Sequence, residues 1–513
     1  MSTFTNIRCS FFAVLIFNSF TFHLSAQNNA DQIWMLGSYG GTLDWYRGLM
    51  YFDFSTNTPI AAEIESISLT LRWSRANFCD STGKILFYTN GCQVQNKMHQ
   101  LMENGDEINI GGWGYDDWCG TDAYLVPQST LILPVPLQDG QFLFLHSFVD
   151  LLPMADLAIL ELRATMIDMF QNNGLGAVTT KNEILASKRF SFGKLTACRH
   201  ANGLNWWIPL NEAGTDDIYF FLLDSSGVHL DHIQSNTGIV TDLVDNFGQA
   251  VFSPDGSFYA RFDGNNELDV FKFDRCRGLF YAPVHINLNV PQEEYWGCGV
   301  AFSPNSRYLY ASANIYLYQF DMQSPDMEGS KVLAGEYDGF IDFHGTNFYQ
   351  QLLGPDGRIY MCSSSDSRFL HVINFPDQPG TSCGLNQHGV ELPNLNSASF
   401  PNFPYLRLGA APENYCDSIG LVSAVKAAAP SKGFAIAISP NPSNTSVNIT
   451  FHTQTEGWLT VTNSLGRIVA TRSLNVADQS SMFDVTSWPA GVYQLSVAGI
   501  DGQIGNTRFL VQH

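Results

Sequence analysis

The chain has 513 residues and a formal net charge of -22, with 45% apolar residues and only 14% charged ones. One hydrophobic core does not grow to that length, so two or more domains are expected. A surface this acidic repels phosphate backbones and anionic membranes, so nucleic acid is excluded as the expected partner.

The first element is a targeting signal. Arg8, the apolar run Phe11 to Leu24, and the small residues up to Ala26 form the three zones of a secretory signal peptide, residues 1–26. The run is too short and too interrupted for a stable membrane span, and no later stretch reaches spanning length, so no transmembrane segment is expected. The mature chain is expected to pass through the periplasm and end up secreted or at the cell surface. Of the ten cysteines, Cys9 leaves with the signal. In an oxidising compartment the rest are disulfide candidates. Proximity in sequence suggests Cys79 with Cys92, Cys276 with Cys298, and Cys362 with Cys383. Cys119, Cys198 and Cys416 stay unassigned. The spacings hold no CxxC, and no metal site is predicted.

Residues 27–409 repeat. Ala250-Val-Phe-Ser-Pro-Asp-Gly256, Val300-Ala-Phe-Ser-Pro-Asn-Ser306 and Gln351-Leu-Leu-Gly-Pro-Asp-Gly357 align, their prolines recurring about every 50 residues. Proline presets φ at such a turn, and Asp-Gly supplies the positive φ. An aromatic strand follows each turn, as in Arg307 to Ala311, and then a second strand, as in Leu268 to Asp274. Weaker copies place turns at Gly83, Gly140 and Gly203. The strands are apolar on both faces and need cover on both sides, which radially stacked sheets provide. The expectation is an all-β chain whose body is an about seven-bladed β-propeller. Its closure would pair Trp34 to Tyr39 and Leu49 to Phe54 with a strand near Ser399 to Leu408. The alternatives are a β-sandwich or two unrelated all-β domains. Phe252-Ser-Pro-Asp-Gly256, Phe302-Ser-Pro-Asn305 and Tyr308-Leu-Tyr310 resemble WD40-like and lactonase-like propeller repeats. That resemblance implies the architecture and carries over no catalytic residue.

Several residues in the body are candidates for chemistry. Trp113-Gly-Tyr-Asp116-Asp117-Trp118-Cys119 lies in a long insertion, where paired acids could bind Ca²⁺ or act as acid and base. Arg199 and His200, beside Trp206 and Trp207, form the densest polar-aromatic cluster, suited to stacking on a sugar. The structural alternative puts Trp206 and Trp207 on a blade strand, one ring on each face. Gly380-Thr-Ser382-Cys-Gly384 matches the GxSxG pattern, yet no helix pattern follows it, so a loop is expected. Asp263-Gly-Asn265-Asn-Glu267-Leu-Asp269 superficially suggests a calcium loop but sits where a hairpin turn is needed. No cofactor is predicted, and structural Ca²⁺ has no support.

Residues 410–432, rich in Ala, Ser and Pro, read as a linker. From 433 to 513 about seven short strands at close spacing suggest a small β-sandwich. Pro440-Asn441-Pro442, the alternating strand Val447 to Phe451, Leu465-Gly466-Arg467, Asp484-Val485 and Pro489-Ala-Gly491-Val-Tyr493 occur in order. This segment resembles the C-terminal sorting domain of type IX secretion cargo. The resemblance implies the type IX outer-membrane translocon and sorting machinery as partners. For the body, two functions follow. One is a binding module for an extracellular ligand, a glycan or a protein. The other is a secreted propeller hydrolase, lactonase-like or glycan-active, with its site at a channel mouth where loops converge.

Overall fold

The structure, a computed structural model, describes residues 29–38, 48–56, 58–64, 69–120, 122–153, 156–243, 247–291, 298–411, 436–450, 457–463, 468–475, 480–499 and 504–512. The expected signal peptide, residues 412–432 of the expected linker, and Gly466 and Arg467 of the sorting motif lie outside them.

The turn chemistry read from the repeats is what sets the strands apart. Gly83, Gly140, Gly203, Gly256, Ser306 and Gly357 all have left-handed φ, between 61° and 83°. Five are glycines, for which that region costs no Cβ clash. The strands between the turns assemble into seven antiparallel sheets in chain order. Blade 1 holds Ile33–Gly37, Leu49–Asp53 and Ile60–Ile64, and blade 2 holds Ala76–Cys79, Ile85–Thr89 and Val94–Asn96. Blades 3 to 7 have four strands each. They begin at Thr130–Pro134, Cys198–Arg199, Gly248–Phe252, Cys298–Phe302 and Gln351–Leu353. These first strands stand side by side round an axis, Gly248–Phe252 beside Cys298–Phe302 and that beside Gln351–Leu353. The body is therefore a seven-bladed β-propeller.

Aromatic side chains fill the gaps between blades. Trp207, Phe220, Phe252, Tyr259, Phe271, Phe273 and Phe280 form one such layer between blades 4 and 5. This is why the strands are apolar on both faces: each blade buries one face against each neighbour.

The ring closes differently from the expectation. Ile33–Gly37 runs opposite to Ala76–Cys79, because Cys79 N–H donates to the Ala30 carbonyl and Leu71 N–H to the Ser38 carbonyl. Blade 1 thus lacks an innermost strand of its own. Residues 397–408 take that place. Ser397 N–H donates to the Gly37 carbonyl at 3.0 Å. The Phe400 ring lies 5.4 Å from Trp34, and Arg407 pairs with Asp31 at 2.6 Å. The segment follows blade 1 as expected, but it forms no strand, because the Asn402 N–H crosses to the Arg75 carbonyl and the Ser397 and Ser399 carbonyls accept from the Arg75 and Asn396 side chains instead of a ladder partner.

The expected disulfides also need correction. Cys92 bonds Cys119, with Cα atoms 5.5 Å apart, while Cys79, Cys298, Cys362 and Cys383 are buried and make no disulfide. Cys276 is disulfide-bonded, but not to Cys298. The reason is the height of a blade. Ala76 faces Thr89 in the blade 2 ladder and Cys79 faces Ile85. Cys92, just beyond Thr89, is therefore at the far end from Cys79. Burial pushes the Cys79 and Cys362 thiols up to about 12.

Residues 436–512 fold separately. One sheet has the order Ala437–Ser439, Ser446–Thr450, Ser480–Asp484, and the other Ile468–Leu474, Gly457–Thr462, Gly491–Gly499, Ile504–Val511. Between them lie Val447, Ile449, Leu459, Val461, Tyr493, Leu495, Val497 and Phe509. Asn441 of the Pro-Asn-Pro turn accepts the Leu510 N–H at 2.8 Å, and Tyr493 Oη donates to the Pro489 carbonyl at 2.7 Å. These motif residues hold the sandwich together.

Candidate functional site

The first strands line a central channel, and residues 397–408 close it. Asn402 N–H donates to the Arg75 carbonyl, and its Nδ2 donates to the carbonyls of Thr130 at 2.8 Å and Leu195 at 2.7 Å. One residue therefore ties blades 2, 3 and 4, its backbone meeting blade 2 and its amide side chain the other two. Gln128 reaches across to both backbone groups of Ala250. Gln249 accepts from the backbone N–H groups of Val300 and Gln351. Channel-facing backbone groups would otherwise be buried without partners, and these amides supply both donor and acceptor. Arg75 is fully buried here. Its Nη1 donates to Asn396 Oδ1 at 2.7 Å, and burial pushes its pKa down to about 9.

The two mouths differ. Where the innermost strands end, Val251, Phe252, Phe302, Leu353, Phe403 and Tyr405 line an apolar recess of about 50 Å³. Ligand pockets are usually about 300–1,000 Å³. Asp31 at its rim is held by Arg407. Where the innermost strands begin, charged groups converge but pair off. Arg72 meets Asp122 at 2.6 Å, and Lys194 meets Asp263 at 3.2 Å with both side chains buried. Asp366 accepts from the hydroxyls of Ser38 and Ser397. Trp73, Phe247 and Phe192 pack edge to face in a row beside them, with centroids 5.0 and 5.1 Å apart.

The same entry face carries a feature the sequence reading passed over. Residues 337–346, between blades 6 and 7, form a loop with Phe340 41%, Ile341 69% and Phe343 51% exposed. Tyr337 Oη and the Thr346 N–H and hydroxyl all donate to the Phe340 carbonyl. Arg368 grips Asp342 at 3.0 Å, and His388 Nε2 lies 2.8 Å from Thr346 Oγ1. The visible signal was a cluster of large apolar residues, Phe340-Ile-Asp-Phe343, in a connection that should be polar.

The residues singled out from sequence go elsewhere. Trp206 and Trp207 are 0% and 3% exposed, on opposite faces of blade 4. Arg199 is buried with its guanidinium 4.0 Å above the Trp206 ring, and burial lowers its pKa to about 10. His200 Nδ1 accepts the Asn202 N–H within a turn, and burial lowers its pKa. The four residues are adjacent, but the stacking faces of the two indoles are covered, as the structural alternative has it. Asp116 and Asp117 are exposed on the short helix Trp113–Trp118, whose end is pinned by the Cys92–Cys119 bond and by Trp118 against Tyr124. That helix packs on Gln141–Leu152 of blade 3, whereas Arg199 and Trp206 pair within blade 4, so the two candidate sets stand on different blades. Gly380–Cys383 is a 3-10 turn, and Asp263 caps the hairpin turn through Asn265 and Asn266. Among the described residues no group of three or more His, Cys, Asp or Glu is placed to hold a metal ion. No helix among them is long and apolar enough to cross a membrane.

The family model described as a secretion system C-terminal sorting domain matches residues 437–511. No curated protein matches the chain. Among solved structures, a candidate 6-phosphogluconolactonase from Bacteroides fragilis is similar at 12% identity and a TM-score of 0.40, covering 72% of this chain and 99% of that one. A functionally unknown protein from Desulfotomaculum acetoxidans is similar at 11% identity and a TM-score of 0.34, over 73% and 99% of the two chains. A Lactobacillus plantarum protein is similar at 12% identity and a TM-score of 0.34, over 72% and 99%. The tail is thus a type IX sorting domain, and the chain is cargo exported by that system to the cell surface or the extracellular space.

Proposed function

We propose that the exported propeller is a binding module and that it engages a glycan or protein through its entry face, around residues 337–346. The observation that carries this reading is the braced loop. Single exposed apolar residues are ordinary, but three within four positions on one rigid loop form a contiguous patch of the kind that marks interaction sites. Rigidity favours binding, because little side-chain and backbone freedom is lost on contact. The closed channel and the paired charges at its mouth agree with this reading. A hydrolase would need an acid or base free to meet a substrate.

The test uses purified residues 27–513 on glycan arrays and on intact cells. Replacing Phe340, Ile341 and Phe343 together by Ser should weaken binding at least about tenfold with unchanged circular dichroism, as expected when central contact residues are lost. Turnover of a lactone or glycoside by the wild-type protein, abolished by changing Arg72 or Lys194, would replace this proposal with the hydrolase.

A further inference from the structure

In a two-sheet sandwich each strand buries one face and shows the other to solvent. Gly457–Thr462 breaks that rule. Leu459 and Val461 face the sandwich core, and the opposite-facing Trp458 and Thr460 are buried as well. On the flanking strands Thr471 and Ala498, the cross-strand partners of Thr460 and Trp458, are also buried. The cover is the propeller. Ile468–Leu474 lies against Gly227–Gln234 and Leu279–Ile286, the outermost strands of blades 4 and 5. Trp458 packs with Leu279 and Ala498, 5.5 Å from the Tyr281 ring, and the Arg277 guanidinium sits 4.4 Å above its indole.

We infer that this outer sheet face is a docking surface whose occupant is the chain's own propeller flank, held by Trp458 as a reversible latch. The shape is a single aromatic knob among small residues, and it fits an apolar spot capped by a cation. Reversibility follows from the polar atoms at the contact. Trp458 Nε1, Thr460 Oγ1 and Thr471 Oγ1 are buried with no hydrogen-bond partner among the described residues. A buried polar group without a partner costs free energy, so these three weigh against the docked form, and undocking returns all of them to water. In the closed form the propeller hides one face of the sorting domain. In the open form that face and the Leu279–Tyr281 patch are both exposed. This inference is independent of the binding role of the entry face.

Hydrogen exchange and small-angle scattering on the full chain test it. Trp458→Ala should speed exchange of the Leu279–Ile286 amides about tenfold and raise the radius of gyration, while Gly248–Phe252 exchanges as before. Arg277→Ala lies on the propeller and leaves the sorting domain's own contacts intact, so the same changes in that variant separate undocking from unfolding of the tail. Unchanged exchange at Leu279–Ile286 in both variants would overturn the latch. So would protection there that appears only as protein concentration rises, since the occupant would then be a second copy.

Discussion

Asn402 is the position where the closure of the ring can be weighed. Its Nδ2 donates to two carbonyls from different blades, Thr130 and Leu195, at 2.8 and 2.7 Å. The side chain is buried. In Asn402→Ala both bonds go while the channel stays dry. Leaving a buried acceptor unpaired costs about 1–3 kcal/mol, so the pair predicts a loss of about 2–6 kcal/mol. Asn402→Asp is nearly isosteric but sets a carboxylate oxygen against two carbonyl oxygens, so it should cost more than the alanine. A domain is stable by about 5–15 kcal/mol, so either change is large. Urea unfolding of residues 27–411, followed by tryptophan fluorescence, gives both values. The exposed Asn444 lies in the tail, so the surface control belongs on the body at Asp139, also exposed, where a change should stay within about 0.5 kcal/mol. An Asn402→Ala midpoint indistinguishable from that control would mean that residues 397–408 do not hold the blades together.

The propeller was legible because its turns obey local rules. A left-handed φ recurs at each expected turn residue, because the tight turn requires it and local sterics then favour glycine there. The sorting domain was legible for the same reason, through the Pro-Asn-Pro turn and the alternating Val447 to Phe451. What stayed hidden depends on contacts far apart in sequence. Asn402 meets Thr130 and Leu195 across the channel, and no spacing announces that. Cys79 and Cys92 are near in sequence yet at opposite ends of a ladder, while Cys92 and Cys119 are joined by a fold of the insertion between them. Trp206 and Trp207 looked like a binding platform because adjacent aromatics suit both a sugar site and a two-faced blade strand. Only burial, set by the neighbouring blades, tells the two apart. The exposed Phe340, Ile341 and Phe343 are the reverse case, since apolar residues in a connection read as core until the loop is seen to stand outside it.

Three further outcomes follow from single features. His146 is fully buried between Asn109 Oδ1 at 2.6 Å and Thr165 Oγ1 at 2.9 Å, and burial holds its pKa down at about 3. The unfolded chain binds that proton below about 6.5. The His146 contribution to stability should therefore be full above pH 6.5 and fall by about 1.4 kcal/mol per pH unit as acid is added toward pH 3. His146→Gln should flatten that slope in urea titrations across the window, and a slope unchanged by the substitution would show that His146 is not the group responsible. Reducing Cys92–Cys119, or replacing both by Ala, opens a loop with a sequence separation of 27. The expected loss is about 3–4 kcal/mol, read as a lower unfolding midpoint, and a shift below about 0.5 kcal/mol would show the insertion to be held by Trp118 and Tyr124 without it. For export, the sorting domain is a separate sandwich with its own core, so deleting residues 433–513 should spare the propeller's fold while removing its address. Cell fractionation should then find the truncated chain folded in the periplasm, with the surface and medium depleted. Normal delivery of that truncation would place the address in the propeller, and a degraded truncation would instead show that the propeller needs the Trp458 contact for its own stability.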